Sequence, residues 1–273
     1  MSKPSSNTKA LLRVRETNVR GWEKGLNSGL ETRTEYWDRL VWWQRVFYNH
    51  LEIAQIRWRW ALGDAGAALD ACLKVADHAA TQWQKGRLLK DENFDELTPE
   101  ERKEAQSQDA THFPFATAAL LSGLRTGKFS PRLLDVVPSF KEWRKHSEWG
   151  YVWNYPDAGL ISAIQQGKLP TGWKQLLGMV ARLGEPVAES FEKYMLIALK
   201  KGADKDLPEL IEELGDLFDQ RSELDDDEGL PSAEGPGSFN ELCVDFRLAA
   251  LARLCLDKKA IAKLDSIHLQ LPK

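Results

Sequence analysis

Cysteine is scarce in this chain: Cys72, Cys243 and Cys255 are an odd number, widely spaced and without a CxxC pair. That excludes a disulfide framework and a thiolate zinc site, and a reducing, cytoplasmic setting is expected. No apolar run approaches the length a bilayer needs, and the start, MSKPSSNTK, is polar. Neither a transmembrane helix nor a signal peptide is therefore expected. Glycine-rich phosphate loops, GxSxG elbows, HExxH pairs and EF-hand loops are all missing, which removes the common templates for catalysis and calcium binding. Strand-like alternation is nearly absent as well, and its best instance is Ile267, Leu269 and Leu271.

What the chain does hold is helical spacing. With 273 residues, 42% hydrophobic and 29% charged, it can bury a sizeable core behind a charged surface. From Thr34 to Leu62 the positions Trp37, Leu40, Val41, Phe47, Leu51, Ala54, Trp58 and Ala61 follow one helix face. Gly63 stands where a left-handed cap would end that helix. Capping boxes are predicted at Thr98–Glu101, Asp206–Glu209 and Ser238–Glu241, and Ser130-Pro131 reads as an N-cap with proline at the first helical position. Turns with glycine or lysine at 62–64, 124–128, 164–168 and 199–203 imply helical hairpins at intervals too irregular for a fixed-period repeat. Residues 240–256 resume as an amphipathic helix. The expected fold is all-α, a single bundle over 1–273 of ten or more helices arranged largely as hairpins, with an acidic loop at 222–237.

Charge is distributed unevenly. Residues 1–60 carry eleven basic against six acidic side chains, and residues 204–234 carry two against thirteen, within a net charge of −4. In the acidic segment Glu209, Glu212, Glu213, Asp216 and Asp219 are three or four apart and share one helix face. Glu223, Asp225, Asp226, Asp227 and Glu228 carry the field onward. Like charges at such spacing destabilise a helix by a few tenths of a kcal/mol per pair, about what a favourable pair contributes. A dense acidic face of this kind speeds and orients the approach of a basic partner, and these ten carboxylates are the expected partner-binding residues.

Other constellations are thinner. Asp109 and His112 lie at i and i+3, but the Glu-x-x-His pattern of a helical di-metal site does not occur, and neither a metal nor a cofactor is expected. Arg45 and His50 have the spacing that all-helical RNases of the HEPN group use, although Val46 stands where that group carries a polar residue. Eleven tryptophans are mostly core by this reading, with a second aromatic cluster at Trp143, Trp149, Tyr151, Trp153 and Tyr155 that suits a loop or an interface. An overall acidic chain lacks the uniform basic footprint of a nucleic-acid binder, so no nucleic-acid partner is expected, and no membrane partner.

The stretch Asn240-Glu-Leu-Cys-Val-Asp-Phe-Arg-Leu-Ala-Ala-Leu-Ala-Arg-Leu-Cys-Leu256 and the hairpin Trp60-Ala-Leu-Gly-Asp-Ala-Gly-Ala-Ala-Leu69 resemble all-helical immunity proteins of bacterial polymorphic-toxin and type VI secretion systems, with immunity family forty-nine the nearest in layout. The resemblance implies a cytoplasmic protein that binds a cognate toxin, occludes its active site and performs no catalysis. It transfers no functional residue. The alternatives are a HEPN-type RNase using Arg45 and His50, and a helical-hairpin scaffold that binds peptides.

Overall fold

The helical spacing in the sequence is realised throughout a computed structural model that describes residues 6–27, 36–85, 96–110, 113–139, 154–202, 205–226 and 244–269. Among the described residues there are twelve α-helices and no strand. They are α1 (Ser6–Asn27), α2 (Tyr36–Trp60), α3 (Ala65–Gln84), α4 (Pro99–Ala110), α5 (Phe115–Thr126), α6 (Pro131–Leu134), α7 (Asn154–Gln166), α8 (Trp173–Val180), α9 (Glu185–Ala198), α10 (Leu207–Asp226), α11 (Phe246–Cys255) and α12 (Lys258–Ile261). The all-α, hairpin-rich architecture agrees with expectation: α1 packs on α2, α2 on α3 and α9 on α10.

Two helices are apolar round most of their circumference, which is stable only inside a protein. In α5 every residue from Phe115 to Leu124 is buried, enclosed by α3, α7 and α11. In α11 the same holds from Phe246 to Ala252. Gly123 lets these two approach closely, since a Cβ there would stand 2.6 Å from the Leu254 side chain. Around this pair one hydrophobic cluster runs from Leu12 through Phe47, Phe113, Leu160, Phe191 and Leu251 to Leu269.

Local signals behave in part as read. Thr98 and Glu101 cap each other reciprocally: the Thr98 N–H donates to the Glu101 carboxylate at 2.8 Å, and the Glu101 N–H donates to the Thr98 hydroxyl oxygen at 3.3 Å. Four corrections apply. The helix through Thr34–Leu62 ends on Ala61, which adopts φ 51, while the Leu62 N–H closes the turn on the Arg57 carbonyl at 3.2 Å. Gly63, at φ 132, serves the link to α3 instead of the cap. The segment 267–269 is a 3-10 turn, not a strand. The helix placed at 240–256 is described from Phe246, with Asp245 accepting from the Leu248 N–H at 3.0 Å, and the Ser238–Glu241 box lies outside the described residues. Lastly, the loop expected from residue 222 starts later, because α10 continues to Asp226.

Candidate functional site

The acidic face is built on α10. Leu207, Leu210, Ile211, Leu214, Leu217 and Phe218 recur at helical spacing and are buried, fixing that side of the helix toward α9. The register that buries them turns Glu209, Glu212, Glu213, Asp216 and Asp219 outward, and all five are exposed. At 1.5 Å per residue these carboxylates span about 15 Å. Among the described residues, Glu213 is the one of the five in an ion pair, with Lys193 of α9. Glu223, Asp225 and Asp226 belong to the last turns of the helix, and Asp227 and Glu228 lie outside the described residues. The last turn carries no basic residue. Carboxylates at a helix C-terminus oppose the macrodipole, so α10 is acidic along its length at some cost to its own stability.

Arg45 and His50, the RNase pair by spacing, point apart. Five residues along α2 separate them by about 140° around the helix axis. Arg45 is exposed, its guanidinium lying over the Trp22 ring at 5.0 Å. His50 is buried and shares a hydrogen bond with Glu23 of α1, 3.1 Å between Nε2 and Oε1. Burial holds the imidazole below its ordinary value, and the bond and charge of Glu23 offset part of that effect. Both side chains thus tie α1 to α2. Of the suggested metal pair, Asp109 sits in α4 and His112 lies outside the described residues, among which no group of three His, Cys, Asp or Glu could hold a metal.

Tryptophan mostly packs as expected. Trp43 and Trp58 are buried, and Trp22, Trp60, Trp83 and Trp173 are half-buried against the core. Of the second aromatic cluster, Trp143, Trp149, Tyr151 and Trp153 lie outside the described residues, and Tyr155 is in α7. Burial pushes the Cys72 thiol well above its ordinary value and Cys255 up to about 11, so both stay protonated at neutral pH; Cys243 lies outside the described residues. Among the described residues no helix is long and apolar enough to cross a membrane.

One polar cluster is not apparent from sequence spacing. Asp157 of α7, with 0% of its surface accessible, receives both arms of Arg247 of α11 at 2.7 and 3.2 Å and the hydroxyl of Thr117 of α5 at 2.6 Å. Beside it, Asp245 accepts the Tyr194 hydroxyl proton, and its own N–H donates to His268 Nδ1 at 2.8 Å. His268 in turn packs on Phe218 of α10, ring centroids 4.9 Å apart. These six polar side chains pin the start of α11 to α5, α7, α9 and the C-terminal 3-10 turn. Each is buried, so the cluster acts as a clamp within the core. Its only sequence signal is a charged residue, Arg247, inside the apolar run Phe246–Ala252.

Compared with protein-family models, curated proteins and solved structures, the chain matches none.

Proposed function

We propose that this protein is an immunity protein: it binds a cognate secreted toxin in the cytoplasm through the acidic face of α10 and neutralises it by covering its active site, with no catalysis of its own. The observation that carries the reading is the exposure of Glu209, Glu212, Glu213, Asp216 and Asp219 on one face of a helix whose other face is locked into the core. A rigid helix presenting fixed charge loses little entropy on binding and steers a basic surface into register. The resemblance of the layout to all-helical immunity proteins supplies the class of partner. The burial of His50 against Glu23 favours docking over the RNase alternative.

The test is co-expression with the toxin domain encoded by the neighbouring gene, followed by purification of the complex and an assay of the toxin's own activity. The expected result is a stable complex that is inactive and recovers activity when the partner is removed. Failure of the two chains to associate, or association that leaves the toxin fully active, would overturn the proposal.

A further inference from the structure

The face of α1 turned away from α2 carries Lys9, Arg13, Arg20 and Lys24, all exposed. Their spacing places them within an arc of about 60° along about 22 Å of helix. Among the described residues of α1, the acidic side chains Glu16 and Glu23 stand at the edge of this stripe and bond α2: Arg57 bonds Glu16 at 3.0 Å, and His50 meets Glu23. Their ion pairs are thus made to α2, although Glu23 keeps 47% of its side chain exposed. Arg20 is also braced, its guanidinium donating to the Thr17 hydroxyl at 3.2 Å while that hydroxyl donates to the Arg13 carbonyl at 2.8 Å.

The geometry points to a sequence-independent binding surface on α1 for the phosphate backbone of double-stranded nucleic acid. A membrane surface would require apolar side chains beside the cations, and among the described side chains of α1 the one large apolar group exposed is Val14. Carboxylates scattered on another protein bring no condensed counterion layer to release. A phosphodiester strand instead releases condensed counterions for each contact, and four aligned cations draw on that directly. The net charge of −4 argues against nucleic acid for the chain as a whole, but it averages this stripe with the acidic face of α10. The inference does not depend on whether α10 binds a toxin.

Fluorescence anisotropy of the full-length protein with a labelled, random-sequence DNA duplex tests it. Four contacts predict a log–log slope of affinity against salt of about −3.6, a fall of about a hundredfold between about 50 and 200 mM salt. Arg13→Gln with Arg20→Gln should bring the slope down by about 2, with unfolding unchanged, whereas Lys168→Gln with Lys174→Gln, exposed cations elsewhere, should leave it as it is. Absence of binding at about 20 mM salt, or an Arg13/Arg20 variant that binds like the parent, overturns the inference. So does tighter binding to phosphatidylserine-containing vesicles than to the duplex, or low-salt self-association through α1 in place of duplex binding.

Discussion

Arg247 of α11 grips Asp157 of α7 with two nitrogens at 2.7 and 3.2 Å, and neither residue has more than 5% of its surface exposed. A buried pair of this kind is costly to break from one side, because the remaining charge has no water to turn to. Asp157→Ala should therefore destabilise the protein by about 3–5 kcal/mol. The double variant Asp157→Leu with Arg247→Met should lose less than Asp157→Ala alone. Urea denaturation followed by circular dichroism gives both values, and a double variant worse than the single one would show that the pair contributes more than mutual neutralisation.

Ala61 ends α2 at φ 51, a conformation that glycine adopts without steric cost. Ala61→Gly should raise stability by about 0.5–1 kcal/mol, since relief of the left-handed strain outweighs the added chain entropy. The same substitution in a helix interior has the opposite sign. A fall in thermal midpoint for Ala61→Gly would contradict the cap assignment.

The helical class was legible because the apolar positions of α2 and α10 recur at helical spacing, and burial follows from that pattern directly. Capping at Thr98–Glu101 was legible for the same reason, as it joins residues three apart. The end of α2 was not: glycine is the favoured left-handed residue, but Gly63 stands two positions beyond the point where the helix has to turn, and Ala61 takes the strain. The acidic face could be read from Glu209 to Asp219 because one helix carries all five. The clamp on Asp157 was hidden because Thr117, Asp157 and Arg247 come from three distant helices, and only tertiary packing brings them together.

Glu52 of α2 is buried against Arg15 of α1. Burial pushes its carboxyl up from 4.5 to about 7, with Arg15 drawing it back in part. A carboxyl raised on folding favours the folded state fully below about 4.5, and that contribution is lost as pH rises toward about 7. His50, lowered on folding, acts in the opposite sense: its contribution is present above its ordinary 6.5 and is lost as pH falls through the depressed value. Comparison with Glu52→Gln isolates the carboxyl, since His50 is common to both proteins. The urea midpoint of the variant should gain on that of the parent between pH 5 and pH 7.5. A constant difference across that interval would place the Glu52 carboxyl outside it.

Docking through α10 is tested most directly by the association rate of the toxin with Glu212→Lys, Asp216→Lys protein, measured by stopped flow at low and physiological salt. Both positions are exposed, so the fold should be kept. The prediction is association slowed by about tenfold or more, with the parent's salt dependence largely removed, as expected when an attractive field is reversed. An unchanged association rate with an unchanged salt dependence would contradict the assignment of the acidic face as the contact surface.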